Sequence, residues 1–201
     1  MLRLVGGIIN ARHISLIIVF VALTIALDPL RIPSMYLVGG YYRFCEIPIV
    51  AAFFLFGPKI AIAIASINIL PETIFFPLPG VTIGRPFVLL LLIFMLFGIY
   101  LTQKFQNSKL TRNIGIKEGS LFTVSGALTR TLMAPIILYP LYRFLLPLVW
   151  VSLSDAQILA ILPLQMIYAL TFSLYTIPIG YTVARTISRN LKLNNEFQEH
   201  R

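Results

Sequence analysis

Residues 46–63 read EIPIVAAFFLFGPKIAIA and contain the turn around which the fold is organised. An apolar run, Ile47–Phe56, stops at Gly57-Pro58, and a second apolar run, Ile60–Leu70, begins directly afterwards. Glycine commonly ends a helix, and proline is tolerated in the first turn of the next one. A helix needs roughly 20 residues to cross the hydrocarbon core of a membrane, so the first run must recruit flanking residues or be shielded by its neighbours. The stretch predicts two consecutive apolar helices joined by a tight turn.

The rest of the chain shares this apolar character. Of its 201 residues, 58% are hydrophobic and only 11% are charged, and the mean hydropathy is +0.90. A soluble domain of this size needs more charge on its surface, so the sequence predicts an all-α integral membrane protein. We expect one transmembrane domain, residues 1–201, built as a bundle of six transmembrane helices over about 13–30, 44–57, 59–76, 85–103, 119–145 and 156–185. A five-helix bundle, with residues 44–76 as one re-entrant hairpin, is the alternative.

Basic residues divide unevenly between the two ends of the predicted helices. Eleven of the 16 lysines and arginines fall in the termini and in the connections at 57–59 and 102–120. Excess Lys and Arg marks the cytoplasmic side, so we expect both termini to be cytoplasmic in a multi-pass protein of the cell membrane. The first apolar run continues into Asp28-Pro29 without a small-residue cleavage site, which favours its retention as the first helix. The net charge of +9 suits anionic headgroups of the lipid bilayer better than nucleic acid.

The sequence contains no catalytic or nucleotide-binding motif. Its two histidines, His13 and His200, form no H-E-x-x-H motif, and the single cysteine, Cys45, excludes an internal disulfide and a multi-cysteine metal site. Neither G-x-S-x-G nor a phosphate-binding loop occurs. We therefore expect no enzyme activity, no metal and no cofactor. If this protein moves a solute with ATP, a separate subunit must hydrolyse it.

Polar and aromatic residues gather in the outer half of the predicted bundle. The connection at 28–46 holds tyrosines, arginines and acids, and more polar side chains flank the helix ends that follow. A charge moved toward the bilayer centre costs about 2.5–3.5 kcal/mol, so it usually faces protein or a wet cavity. Two interpretations compete with a site here: an interfacial aromatic belt and a mutual Arg43–Glu46 ion pair on one helical face. We predict a site for a flat, partly polar small molecule, lined by Arg43, Glu46, Asn68, Glu72, Arg85, Tyr139 and Arg143.

Two further features lie within the predicted helices. Arg130 falls about eleven residues into the fifth helix, near mid-membrane, where its charge cannot easily reach water. Its expected partner is Asn68 or Gln165. Two roles for Arg130 are equally open, a structural interaction within the bundle and a contact with the substrate. Ala22 and Ala26 in the first helix are four residues apart, which places them on one face and permits close approach of another helix. That helix belongs either to this chain or to a partner subunit.

The stretch 46–63 resembles the turn between the second and third helices of the substrate-binding (S) components of energy-coupling factor (ECF) transporters. In that family a short apolar helix ends in Leu-Phe-Gly-Pro-Lys/Arg. The chain length, the six predicted helices and the stretch IPIGYTVAR at 177–185 are also similar to that family. The resemblance implies a subunit that binds a vitamin or related micronutrient from outside and docks on a transmembrane coupling subunit with two ATPases. It also implies that Ala22 and Ala26 contact the coupling subunit.

The resemblance does not choose a substrate. The Arg43-x-x-Glu46 pattern resembles members assigned to a queuosine precursor, and the surrounding residues equally resemble folate- and flavin-type members. The leading hypothesis is a non-catalytic substrate-binding subunit of an ATP-driven importer, with a vitamin or precursor and the ECF coupling and ATPase subunits as partners. The alternatives are a self-sufficient secondary transporter of a small organic solute and a non-catalytic membrane assembly subunit. Secondary transporters usually show repeated halves and deep coupling carboxylates, which we do not find in this sequence.

Overall fold

Six α-helices follow one another in the computed structural model of the protein. It describes residues 11–35, 40–75, 79–105, 116–148 and 152–191, with side chains described throughout these ranges except at 11–13, 71–73, 75, 79–83, 116–117 and 190–191. The helices are α1 (Ala11–Leu27), α2 (Glu46–Phe56), α3 (Pro58–Phe75), α4 (Pro79–Phe105), α5 (Ile116–Pro140) and α6 (Asp155–Leu191). The prediction of six helices is confirmed within the described residues. Their course across a membrane and the side on which each terminus lies stay predictions.

The helices differ in their capacity to cross a membrane. Three of those described are long and apolar enough to do so, over Gly84–Phe105, Glu118–Leu148 and Asp155–Arg189. The apolar helices Ile14–Leu27, Glu46–Phe56 and Pro58–Leu70 are shorter. With 11 residues, α2 is about 16 Å long, roughly half the thickness of the hydrocarbon core. It therefore depends on its neighbours and on the segment before it.

Gly57 forms the turn between α2 and α3. Its φ of +89° lies in a region that side-chain-bearing residues rarely adopt, and its backbone N–H donates to the carbonyl of Phe53 at 3.0 Å. Pro58 is the first residue of α3, a position where the missing N–H is no loss. The tight turn expected from the Gly-Pro pair is therefore present.

The short helix α2 is enclosed by the rest of the bundle. Its residues 46–54 are all buried, and Val50, Ala51 and Ala52 are fully inaccessible. The approach of α6 is close because Gly180 has no side chain: a Cβ atom there would lie 2.7 Å from Cγ1 of Val50. Shielding by neighbours, one of the two ways in which a short second helix was expected to be accommodated, is what the structure shows.

The connection between α1 and α2 contains a small β-hairpin, which corrects the all-α prediction. Strand β1 (Arg31–Pro33) pairs antiparallel with β2 (Tyr41–Arg43), so that Arg31 lies opposite Arg43. Like charges facing each other destabilise a strand pair. Asp28 offsets the repulsion, because its carboxylate lies 2.7 Å from Nη2 of Arg31 and 3.6 Å from Nη1 of Arg43. Strands of three residues are too short to show the alternation that would predict them from sequence.

Strand β2 lies beside the middle of α6. The hydroxyl of Tyr168 donates to the carbonyl of Tyr41, and the hydroxyl of Tyr175 donates to the carbonyl of Arg43. Tyr168 and Tyr175 follow the first residue of α6, Asp155, by 13 and 20 positions, which corresponds to roughly 20 and 30 Å along the helix. The hairpin therefore runs alongside α6. In lipid, non-helical backbone at such depth is tolerated only where protein encloses it or it lines a cavity.

Candidate binding site

A buried ion pair joins the start of α2 to α5. Nη1 of Arg130 lies 2.6 Å from Oε2 of Glu46, and Nη2 lies 3.1 Å from Oε1, so the two groups bind through two parallel hydrogen bonds. Each side chain is only 4% exposed. The guanidinium carbon of Arg130 also stands 4.5 Å from the centre of the Phe172 ring. Bidentate geometry and the ring face together offset the cost of burying both charges.

The expected partners of Arg130 are wrong. Arg130 binds Glu46, which lies 84 residues earlier in the chain, and not Asn68 or Gln165 as predicted from the sequence. Asn68 on α3 instead accepts a hydrogen bond of 2.7 Å from Thr24 on α1. The sequence could not give this pairing, because it depends on how deep α2 begins relative to α5.

The Arg43–Glu46 ion pair offered as an alternative interpretation is also corrected. Arg43 belongs to β2, so it does not share a helical face with Glu46. Its guanidinium lies 3.6 Å from Asp28, a residue that is only 1% exposed. Its carbonyl is fixed by Tyr175 on α6. The hairpin and α6 together therefore set the position of Arg43.

Four of the predicted site residues, Arg43, Glu46, Asn68 and Arg85, line one cavity. They come from β2, α2, α3 and α4, respectively. Glu46, Asn68 and Arg85 are each at most 5% exposed. The cavity volume is about 30 Å³, well below the roughly 300–1,000 Å³ of ligand pockets. The other lining residues are mostly apolar: Cys45, Ile49, Ala65, Ile69, Val88, Leu89 and Leu92. We refer to this space as the polar cavity.

The other three predicted site residues are not placed at the polar cavity. Glu72 lies one turn beyond Asn68 on α3, and its side chain is outside the described residues. Tyr139, near the end of α5, is 36% exposed. Arg143 lies in the π-helical turn Leu141–Leu145 that continues α5, and its Nη1 is 3.0 Å from Oδ1 of Asp155. The structure therefore separates Tyr139 and Arg143 from the four lining residues.

An aromatic cluster on α6 holds the hairpin in place and was missed by the sequence analysis. Tyr168, Phe172 and Tyr175 face Tyr42, with ring centres 5.1, 6.1 and 5.8 Å from it. The Tyr42 hydroxyl also shares a hydrogen bond of 2.8 Å with Thr171. The signal was available, because aromatic residues at positions i, i+4 and i+7 share one helical face. These rings pack against each other and position β2 at the edge of the polar cavity.

The alanine pair of α1 lies on the outside of the bundle. Ala22 and Ala26 are exposed, as are Ile18 and Leu23 beside them. On the opposite side of the same helix, Thr24 is fully buried and bonded to Asn68. The small side chains therefore are not used for close packing among the described residues, and this face is open to another helix or to lipid.

The polar cavity has the chemistry of a binding site for a small molecule. Guanidinium, amide and carboxylate groups are presented from four separate elements, between apolar walls, and such convergence fixes the orientation of a ligand. Within the described residues, no group of three or more His, Cys, Asp or Glu side chains is placed to hold a metal ion.

Among solved structures, the chain is similar to the S component of a bacterial ECF transporter. The TM-score is 0.61 and the sequence identity is 20%, and the alignment covers 90% of this chain and 98% of that one. At this identity the similarity shows a shared fold, and at that level it confirms the resemblance noted for residues 46–63. Comparison of the sequence with known protein families finds no match, and comparison with curated proteins finds none either.

Proposed function

We propose that this protein is the membrane-embedded substrate-binding subunit of an ATP-driven importer of the ECF type. The observation that carries the proposal is the polar cavity, where Arg43, Glu46, Asn68 and Arg85 meet inside an apolar helical bundle. Burying polar and charged side chains inside an apolar bundle costs free energy, and side chains buried in this way usually belong to a functional site. The fold shared with an ECF S component supports the same role. The cargo we propose is a vitamin or a related micronutrient precursor.

The proposed orientation in the cell membrane follows from the charges. With both termini cytoplasmic, the hairpin and the polar cavity lie toward the outside, where the substrate is captured. Lys59, Lys104 and Arg185 lie at the other end of their helices, on the side where anionic headgroups favour basic residues. Glu72, Tyr139 and Arg143 belong to the outer half in this orientation, and in this proposal they contact the part of a larger ligand that extends beyond the polar cavity.

Energy for transport comes, in this proposal, from ATPases on other subunits. We propose that the exposed α1 face with Ala22 and Ala26 docks on the transmembrane coupling subunit, because small side chains allow two helices to approach closely. Ala22→Leu or Ala26→Leu should abolish co-purification with a coupling module while leaving the fold intact. Ala160→Leu, at an exposed alanine of α6, is the matched control. Equal recovery of the coupling module with all three variants would overturn this assignment.

A secondary transporter is less well supported than a substrate-binding subunit. One argument against it, the lack of a deeply placed carboxylate, no longer holds. The sequence indicated no carboxylate deep in a helix, yet Glu46 is buried. A coupling carboxylate must exchange an ion or a proton during transport. Both oxygens of Glu46 are held by Arg130, so this carboxylate already has a fixed counter-ion within the protein. Glu46 is therefore better suited to organising the interior than to carrying a coupling ion.

Capture of a ligand from a mixture tests the proposed function. The detergent-purified protein is incubated with yeast extract as a source of micronutrients, washed, and examined by native mass spectrometry. We expect one small molecule to remain bound per chain. A six-helix membrane protein of unrelated fold, treated in parallel, should retain nothing comparable. If the wild-type protein also retains nothing above that control, the proposed function is wrong.

A further inference from the structure

Glu46 lines the polar cavity, and Arg130 does not use all of its hydrogen-bonding capacity. Glu46 is the first residue of α2 and is 3% exposed. Arg130 donates one hydrogen bond to each of its oxygens, at 2.6 and 3.1 Å. The two oxygens of a carboxylate offer about four acceptor positions. Within the residues that the structure describes, roughly half of the acceptor positions of Glu46 are therefore unused.

The other polar residues of the cavity do not complete Glu46. Arg43, Asn68 and Arg85 each interact with further groups of the protein, and Asn68 also accepts a hydrogen bond from Thr24. The remaining walls are formed largely by apolar side chains. In the described part of the chain, Arg130 is the only donor bonded to Glu46. A donor for the unused acceptor positions must therefore come from water or from a molecule that enters the cavity.

Arg130 fixes both the orientation and the charge balance of Glu46. Its planar guanidinium holds the two oxygens at once, so the carboxylate cannot rotate without losing a hydrogen bond. The Phe172 ring, with its centre 4.5 Å from the guanidinium carbon, holds the arginine from another side. Because the charge of Glu46 is already balanced, a second cation beside it would be repelled by Arg130. An uncharged N–H or O–H group suits Glu46 better.

The volume of the polar cavity limits what can reach Glu46. About 30 Å³ has room for roughly two water-sized groups, because a cavity needs about 10–15 Å³ to hold one water molecule. An amino, hydroxyl or terminal amide group is small enough to enter such a space, whereas an aromatic ring is not. The bulk of a ligand would then lie beyond the cavity.

From these contacts we infer that the ligand inserts an uncharged N–H or O–H group into the polar cavity and donates a hydrogen bond to Glu46. Arg130 is a positioning residue, because it orients the carboxylate and balances its charge without lining the cavity itself. This inference rests on the proposed function. It narrows the cargo to molecules that end in an uncharged hydrogen-bond donor, and it assigns Glu46 as the residue that selects them.

Three probes of similar shape test this inference: benzamide, acetophenone and benzamidine. Benzamide carries an uncharged N–H donor, acetophenone has a methyl group in its place, and benzamidine carries a positive charge there. Binding is measured as slower labelling of Cys45, which lines the cavity, by methyl methanethiosulfonate. Benzamide should protect Cys45 at about ten- to a hundredfold lower concentration than acetophenone, as for a hydrogen bond to a charged group, and benzamidine should protect less than benzamide. Phenol and fluorobenzene repeat the comparison for an O–H donor.

Variants of the ion pair separate recognition by Glu46 from a purely structural role. Glu46→Met combined with Arg130→Met removes both charges together, a change that buried pairs often tolerate, and benzamide and acetophenone should then protect Cys45 alike. Arg130→Lys keeps the positive charge but not the planar fork, so the preference for benzamide should fall below that of the wild type. It serves if the double variant does not fold. Lys104→Gln, at an exposed position of α4, is the control and should keep the full preference.

The inference is overturned if benzamidine protects best, if neither donor protects better than its matched partner, or if none of the probes protects Cys45. An unchanged preference for benzamide in the double variant overturns it as well. The proposed function survives each of these results, because it is tested separately by capture from yeast extract. Absence of any captured molecule overturns the proposed function and, with it, this inference.

Discussion

Arg130 and Arg143 lie on α5 and its π-helical continuation, thirteen residues apart, and their surroundings are opposite. Arg130 is 4% exposed and is held by Glu46 from another helix at 2.6 Å. Arg143 is 43% exposed and lies 3.0 Å from Asp155, which is itself 58% exposed. Both make an ion pair, yet only the first pair is removed from solvent. The distance between the two charged groups alone therefore does not determine how much an ion pair contributes to the stability of the fold.

The difference follows from what surrounds each pair. Around Arg130 the structure supplies the Phe172 ring, the sulfur of Met95 at 3.5 Å and the buried start of α2. Arg143 has neighbours that are partly open, such as Phe144 at 67% exposure. In the interior, losing one partner leaves a charge with neither water nor a counter-ion. At the surface, water replaces the lost partner.

Breaking the interior pair is expected to have the largest effect. Arg130→Met or Glu46→Gln should lower the free energy of unfolding by about 3–5 kcal/mol, because the remaining charged or polar group stays buried. The double variant should lose less than the sum of the two single losses. The measurement is SDS-induced unfolding in mixed micelles, followed by circular dichroism. Additive losses would show that the two side chains do not act as a pair.

A smaller effect is expected on the local stability of β2, the strand that precedes Glu46 and is held by α6. Tyr175→Phe removes the hydrogen bond to the carbonyl of Arg43, worth about 0.5–1.5 kcal/mol. Amide hydrogen exchange at residues 41–44 should accelerate by about two- to tenfold. Tyr100→Phe, at an exposed tyrosine of α4, should leave this exchange unchanged. Identical exchange in both variants would mean that the Tyr175 hydrogen bond does not contribute to holding β2.

The smallest effect is expected at the exposed pair. Arg143→Gln and Asp155→Asn should each change the free energy of unfolding by about 0–1 kcal/mol. The same SDS titration used for Arg130 allows direct comparison. If substituting Arg143 lowered the free energy of unfolding as much as substituting Arg130, the exposed and the buried ion pair would contribute equally to stability, contrary to this prediction.

Local features of this fold were readable from the sequence, and long-range pairings were not. The turn at Gly57-Pro58 depends on neighbouring residues, and the helices follow from apolar runs of sufficient length. Four of the seven predicted site residues meet in one cavity because charges near helix ends tend to face the interior. The Glu46–Arg130 pair joins residues 84 positions apart, and no local pattern encodes it. The hairpin was missed because contacts with α6, rather than strand propensity, hold it together.

The most direct test of the account uses Cys45, the only cysteine of the chain. Cys45 is 2% exposed and lines the polar cavity. Bound ligand should slow its labelling by methyl methanethiosulfonate. The control is Ala134→Cys in a Cys45→Ala background, because Ala134 is equally buried but belongs to a core cluster away from the cavity. A ligand in the polar cavity predicts protection of Cys45 at least tenfold greater than protection at position 134, the factor that corresponds to about 1.4 kcal/mol. Equal protection at both positions would show only general stabilisation by the ligand, and would contradict a binding site in the polar cavity.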